Sequence, residues 1–180
     1  YTSVRGKRLH HIEAGTGEPI VLLHGASGGG ANWYRLLAGL SRDRRVIALD
    51  LPGFGLSEAF VFQAPLGSRV AELIVAWLGA IGVPAFDLVA TSFGSLVAMR
   101  IAQRAPDRVG RVALVNGVGL GREVPLALRI ACVPPISGIA LRPSRFGVHW
   151  QFNALMTADA ARIPAQHKEA LLDYLWQSAR

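Results

Sequence analysis

Ser92 stands between a predicted strand and a predicted helix, in the pentad Ala90-Thr91-Ser92-Phe93-Gly94. A serine in so tight a turn needs small residues two positions away on each side, and Ala90 and Gly94 meet that need. The turn would lift the hydroxyl clear of the sheet, where the N-terminal N–H groups of the following helix favour negative charge. The pattern predicts a nucleophile, and the alternative is an ordinary serine N-cap of the helix.

A glycine-rich loop upstream of Ser92 would supply the groups that such a nucleophile needs. A tetrahedral oxyanion requires two backbone N–H donors, which we expect from Phe93 and from Ala26, just after His24-Gly25. Glycines at 25 and 28–30 let this backbone approach a substrate closely. The alternative is a phosphate-binding loop, but the run lacks both the Gly-Lys-Ser/Thr ending and the GxGxxG spacing.

Several further residues are candidates for substrate binding. Gly25, Ser27 and Asn32 lie in or beside the glycine-rich loop, and Arg122 and Arg129 lie farther along the chain. The two arginines would pair with a carboxylate on the substrate, because a guanidinium binds that group in a fixed fork.

Short apolar runs alternate along the chain with segments whose apolar residues have helical spacing. This pattern predicts the strands and helices that position these residues. Buried strands are indicated at 20–24, 45–50, 86–91 and 111–116, after an opening strand at 8–13, and helices at 33–40, 66–81 and 93–104. This order predicts an α/β fold with a doubly wound, mostly parallel sheet. His24, Asp50 and Ser92 all follow strands, so they should share the carboxyl edge, where ligands bind in such sheets.

The pattern changes after about residue 117. No further strand is indicated, and prolines accompany amphipathic stretches around 145–156 and 165–177. We therefore assign residues 1–120 to the N-terminal part of the core and residues 121–180 to the beginning of a helical lid.

Composition bounds the class of protein. The 180 residues are 51% hydrophobic and 17% charged, which is typical of a globular domain and excludes a disordered one. The net charge is +7, but the arginines are scattered rather than interleaved with aromatics, so neither a nucleic acid nor a membrane surface is expected as a partner. The single cysteine, Cys132, cannot form a disulfide within the chain, and the sequence shows neither a signal peptide nor a membrane span. We therefore expect a cytoplasmic protein. No His/Cys/Asp cluster has metal-ligand spacing, and no cofactor is expected.

Three segments in order identify a family: IVLLHGASGGGANW, RVIALDLPGFGLS and FDLVATSFGSLVAMRIAQRAPDRVGRVALVNGVGLG. They resemble α/β-fold hydrolases over roughly residues 8–121. Within that family the loop and the Phe after Ser92 are similar to hydrolases that cleave carbon–carbon bonds in ring-opened aromatic metabolites, and almost as similar to carboxylesterases. The resemblance implies that Ser92 is acylated, that Ala26 and Phe93 form the oxyanion hole, and that the substrate is a small hydrophobic or aromatic-derived ester or ketone. A serine at this position argues against the epoxide hydrolases and haloalkane dehalogenases of the fold.

The chain departs from the family pattern in its acid and base. Ala90 and Ser95 replace usual glycines, which should cost little, but the family's Asp and His follow the serine in chain order. Six residues after Ser92 are of a suitable type or position, and each falls in an unsuitable connection, strand end or presumed lid: Asp107, Asn116, His149, Asp159, His167 and Asp173. His24 and Asp50 are expected to be structural. We therefore expect a truncated chain, inactive alone, whose triad Asp and His lie in sequence missing here.

Two classes of function remain open. One is a serine-dependent hydrolase acting on a carboxylic ester or on a C–C bond beside a ketone. The other is a non-catalytic receptor or pseudoenzyme on the same scaffold, which would also keep the serine. The sequence leaves the oligomeric state undetermined.

Overall fold

The computed structural model describes residues 1–26, 28–59, 66–117, 144, 146 and 164–178. Within them the strands are β1 (Thr2–Val4), β2 (Lys7–Leu9), β3 (His11–Ala14), β4 (Pro19–Leu23), β5 (Arg45–Leu49), β6 (Phe86–Thr91) and β7 (Val109–Val115). The helices are α1 (Tyr34–Leu40), α2 (Leu66–Ala80), α3 (Phe93–Arg104) and α4 (Ala165–Ser178), with 3-10 turns at Gly30–Trp33 and Pro106–Arg108.

Five of these strands form one sheet in the order β3-β5-β4-β6-β7. Strand β3 runs antiparallel to β5, and the other pairs are parallel. The predicted α/β class and the mostly parallel sheet are confirmed. Strands β5, β4 and β6 are neighbours at its centre, so the residues that follow them emerge side by side at one edge.

Helices cover both faces of the sheet, as the continuous apolar runs of β4 and β5 predicted. On one face the buried side chains of α2 and α3, including Ile74, Trp77 and Ile101, pack against the strands. On the other face Leu37 of α1 packs against Leu22 and its neighbours. The helix predicted at 66–81 ends at Ala80, and Gly82 follows at φ 70°, the left-handed conformation expected just beyond a helix.

The opening strand predicted at 8–13 is wrong in detail, because the structure has two short strands there. Strand β2 ends at Leu9 and pairs with β1 across an Arg5-Gly6 turn, whereas β3 begins at His11 and joins the main sheet. The break falls at His10, whose backbone N–H donates to Ser57 Oγ at 2.9 Å and whose carbonyl accepts from Asp50 N–H at 3.0 Å. The chain leaves one sheet there because its polar groups are taken by the Asp50–Ser57 loop.

The second predicted domain is described only at its end. Helix α4 confirms the amphipathic stretch predicted at 165–177, while most of the 145–156 stretch and Cys132 lie outside the described residues, so the boundary near residue 120 stays a prediction. In the described part of the chain, no helix combines the length and the apolarity needed to cross a bilayer.

Candidate functional site

Ser92 lies on a sharp turn that joins β6 directly to α3. Its backbone adopts φ 50° and ψ −120°, a region that L-residues rarely occupy, and α3 begins at the next residue. Its side chain makes no capping hydrogen bond to the helix, so it does not act as the N-cap serine that was the alternative interpretation. The carbonyl of Ser92 instead accepts from Ser95 N–H at 2.9 Å, and its own N–H donates to Val115 O of β7 at 3.3 Å.

The turn is tight because α3 passes close to the end of β4. A Cβ placed on Gly94 would lie 2.5 Å from the carbonyl oxygens of Leu23 and of His24, closer than real atoms approach. Ala90, on the other side of the serine, is fully buried. The small residues that the pentad predicted are thus required at Gly94 by backbone contact and suit the packing at Ala90.

The glycine-rich loop runs against the Ser92 side chain. A Cβ on Gly25 would lie 3.0 Å from Ser92 Cβ and 3.5 Å from its Oγ, so any larger residue would require the serine to shift by a few tenths of an ångström. Ala26 follows at once and is exposed at the mouth of this contact, while Phe93 begins α3 beside the serine. The two backbone groups expected to hold an oxyanion therefore come from the two segments that border Ser92.

Asn32 closes the far end of the same loop. Its Oδ1 accepts from Gly29 N–H at 3.2 Å, and its own N–H donates to Gly29 O at 3.1 Å. These bonds hold the 3-10 turn that leads into α1. The substrate-binding role predicted for Asn32 stays a prediction, because its side-chain oxygen serves the loop backbone in this structure.

Asp50 is the buried anchor of the loop. The carboxylate is fully buried and accepts from Gly30 N–H at 2.5 Å, from Leu56 N–H at 2.8 Å and from His10 Nδ1 at 2.8 Å. The Tyr174 hydroxyl of α4 donates to Oδ1 as well. So many donors satisfy a buried carboxylate, which agrees with the structural role that the sequence suggested for Asp50.

His24, at the end of β4, is fixed as a neutral ring. Leu51 N–H donates to Nε2 at 2.8 Å, so the ring proton lies on Nδ1, which donates to Gly25 O at 2.6 Å. Burial lowers the pKa of His24, outweighing the Gly25 carbonyl and the Asp50 charge, which raise it. Phe54 stacks edge-on against the ring at 5.6 Å between centroids. With both nitrogens occupied, His24 is structural, as expected, and cannot serve Ser92 as a base.

The other described histidines are also engaged away from Ser92. The His10 ring contacts Asp50, the His11 ring lies against Trp77, and the His167 ring lies against Tyr34 at 5.2 Å. Within the described ranges, no histidine ring hydrogen-bonds the Ser92 hydroxyl.

The other candidates after Ser92 lie on separate elements of the structure. Asp107 lies in the 3-10 turn before β7, Asn116 follows β7 at φ 48°, and Asp173 is exposed on α4. His149, Asp159 and the predicted substrate residues Ser27, Arg122 and Arg129 lie outside the described residues. Nor does the described part of the chain contain a group of three His, Cys, Asp or Glu side chains able to hold a metal.

Tyr174 is the residue of this region that sequence reasoning missed. It occupies one position of an amphipathic helix, and no local pattern marks it as different from the helix's other apolar residues. Its contact partner, Asp50, lies 124 positions away.

A cleft of about 310 Å³ lies at the opposite, amino edge of the sheet, lined by Glu18, Pro19, Arg44, Phe86, Asp87, Gly110 and Arg111. Arg44 Nη2 pairs there with Asp87 Oδ2 at 2.7 Å, and Arg111 N–H donates to Asp87 Oδ1 at 2.8 Å. The hydrogen bond from the Arg111 backbone N–H lowers the pKa of Asp87 most, and the bond from the Arg44 guanidinium lowers it further. These contacts tie strands together, and the cleft is remote from Ser92.

Comparison with known proteins agrees with this geometry. Residues 18–161 match the model of the alpha/beta hydrolase fold. The chain is 36% identical over 121 residues to the 2-hydroxy-6-oxo-6-phenylhexa-2,4-dienoate hydrolase of Burkholderia cepacia, covering 65% of this chain and 42% of that protein. It is 31% identical over 173 residues to the dihydrolipoyllysine-residue acetyltransferase component of the acetoin cleaving system of Pseudomonas putida, covering 95% and 44%.

The fold is similar to that of wild-type Cfl2 from Burkholderia cenocepacia, with a TM-score of 0.81 and 27% identity, over 98% of this chain and 63% of that one. The chain spans less than half the length of the two curated relatives. Since the family model matches residues 18–161, which is most of the chain, the chain belongs to the alpha/beta hydrolase fold family.

Proposed function

We propose that this chain carries the nucleophile and the oxyanion hole of a serine-dependent hydrolase. Ser92 Oγ attacks a carbonyl carbon, and the N–H groups of Ala26 and Phe93 hold the oxygen that becomes negative. The single observation that carries this proposal is the Ser92 backbone at φ 50° and ψ −120°, with the side chain free of any capping bond. A fold keeps a strained serine with no structural hydrogen bond where the hydroxyl is needed for chemistry.

The oxyanion donors follow from the contacts of the serine. Gly25 touches Ser92, so the Ala26 amide that follows borders the same space as the amide of Phe93, at the first turn of α3. Removing one such donor in serine hydrolases costs on the order of 10²–10³ in turnover.

The substrate class is a carboxylic ester or a ketone beside the C–C bond to be broken. Similarity to the Burkholderia cepacia dienoate hydrolase supports the second. In ester cleavage the serine displaces the alcohol, which takes a proton, and water then releases the acid. Ser92 needs a general base for this step, because a serine hydroxyl is a weak nucleophile at pH 7. We assign that base, and the acid that orients it, to residues other than those the structure describes.

Labelling with a fluorophosphonate tests the nucleophile. The protein is expressed from its complete gene, treated with the reagent and mapped by mass spectrometry. We expect one label per chain on Ser92, none in Ser92→Ala, and unchanged labelling in Ser41→Ala at the end of α1. Protein that takes the label should then be assayed with ester and dienoate substrates. A thiol should also be offered as an acyl acceptor in competition with water, because one relative is an acetyltransferase component.

The competing function is a non-catalytic ligand receptor on the same scaffold. It is favoured by the finding that none of the described histidine rings hydrogen-bonds Ser92. A folded complete protein with no label on Ser92 would favour this receptor and contradict the hydrolase.

A further inference from the structure

Tyr174 of α4 lies against the glycine-rich loop at two points. Its ring occupies the space where Gly29 would carry a side chain, since a Cβ there would stand 2.7 Å from the Tyr174 hydroxyl and nearer still to the ring. Its hydroxyl donates to Asp50 Oδ1, the oxygen that also accepts from Gly30 N–H at 2.5 Å. The tyrosine and the loop therefore share one buried acceptor.

The ring of Tyr174 accounts for the need for glycine at position 29, and the backbone conformation of Gly29 does not. Its φ of −164° and ψ of 174° are extended and open to any residue. Gly25 makes way for Ser92 in the same loop, and Gly29 makes way for Tyr174 four residues on. The loop is thus packed between the serine at one end and α4 at the other.

The phenol stays protonated and acts as a donor. Burial raises the pKa of Tyr174 most, and the hydrogen bond to Asp50 raises it further, while the backbone amides of Gly30 and Ala31 act against both. A second contact joins the same surfaces, because the Tyr34 ring meets His167 of α4 edge-on at 5.2 Å.

From this arrangement we infer that Tyr174 is a positioning residue, whose bond to Asp50 and whose ring beside Gly29 hold residues 28–33 of the loop in place near Ser92. That the fixed loop also places the Ala26 amide correctly for catalysis rests on the proposed function. The fixing of the loop by α4 does not.

Hydrogen exchange of the loop tests the structural half. In Tyr174→Phe the ring remains and the donor to Asp50 is lost, so the amides of residues 28–33 should exchange about tenfold faster, the factor expected for one bond to a charged group. Tyr34→Phe is the matched control, because the Tyr34 ring also contacts α4 but its hydroxyl bonds to Arg35 Nε and not to Asp50, so its loss should leave these amides unchanged. Equal exchange in Tyr174→Phe and the native protein would contradict the inference.

The space beside Gly29 gives an independent test. Gly29→Ala should displace the ring and raise exchange as Tyr174→Ala does, while Gly29→Ala combined with Tyr174→Ala should exchange no faster than Tyr174→Ala alone. Gly39→Ala on α1, where an added Cβ meets nothing within 4 Å, is the control. Fully additive effects of the two substitutions would show that the ring does not occupy this space.

Kinetics on the protein from its complete gene test the catalytic half. If Tyr174 positions the oxyanion donor, Tyr174→Phe should lower kcat about tenfold and leave KM within twofold, with Tyr34→Phe unaffected. Faster exchange with unchanged kcat would overturn the positioning role. If the native protein shows neither label nor turnover, the proposed function fails, and the exchange data still decide whether Tyr174 fixes the loop.

Discussion

Asp50 and Ser92 follow the two strands that flank β4, yet they are held in opposite ways. Asp50 is fully buried and its carboxylate accepts hydrogen bonds from two backbone amides, an imidazole and a phenol. Ser92 stands on a strained backbone and its side chain makes no capping bond. One strand end is used to assemble the loops, and the other leaves its hydroxyl without a capping bond.

The contrast distinguishes a polar group that the fold satisfies from one that it leaves without a capping bond at the same sheet edge. Satisfied, buried groups lower the free energy of the folded state, whereas strain and an uncommitted polar atom raise it. Substitutions at the two ends should therefore change stability in opposite directions.

The largest effect is expected at Asp50. Asp50→Ala removes a buried acceptor that four donors share and should lower the free energy of unfolding by about 3–5 kcal/mol. Urea denaturation followed by circular dichroism measures it. Asp43→Ala, at an exposed aspartate, should stay within about 0.5 kcal/mol. If Asp50→Ala lowered the free energy of unfolding no more than Asp43→Ala does, the contrast between Asp50 and Ser92 would not hold.

His24, on the strand between them, should give a smaller, pH-dependent effect. Since burial lowers its folded pKa below the ordinary 6.5, the unfolded chain binds a proton first as the pH falls. The stability due to neutral His24 is complete above about pH 6.5 and is lost below it, by up to about 1.4 kcal/mol per pH unit, until the folded pKa is reached. Urea midpoints between pH 7 and pH 5 should fall more steeply in the native protein than in His24→Gln. Parallel lines would mean that folding does not lower the pKa of His24.

The smallest effect is expected at Ser92 and should have the opposite sign. Ser92→Gly relieves a backbone conformation that glycine adopts freely, so the free energy of unfolding should rise by about 1 kcal/mol although the nucleophile is gone. Ser41→Gly, at an ordinary helical φ of −66°, should instead lose up to about 1 kcal/mol. Thermal melts of the two variants compare them directly, and a destabilised Ser92→Gly would show that the turn is not strained.

The features that the sequence predicted well are those that short stretches of neighbouring residues determine. Apolar runs predicted β4, β5 and β6, helical spacing predicted α2 and α3, and the small residues around Ser92 predicted the turn. The strands and helices depend on contacts within a few positions or on burial that every residue of a strand shares, and the turn is marked by local residue types although Gly94 meets the distant Leu23 and His24.

The contacts that the sequence did not reveal join distant segments. The break between β2 and β3 depends on Ser57 and Asp50, which take the backbone bonds of His10. The fit of Tyr174 against Gly29 depends on how α4 packs, and a glycine in extended conformation carries no sign of the ring that requires it. Such contacts are set by tertiary packing, which local propensity does not report.

The hydrogen bonds of His24 also determine how its ring responds to chemical modification. With its Nε2 lone pair occupied by Leu51 N–H and only 1% of its surface accessible, this imidazole offers nothing for an acylating reagent such as diethyl pyrocarbonate to attack. Inactivation of the complete protein by that reagent would therefore arise at a residue other than His24.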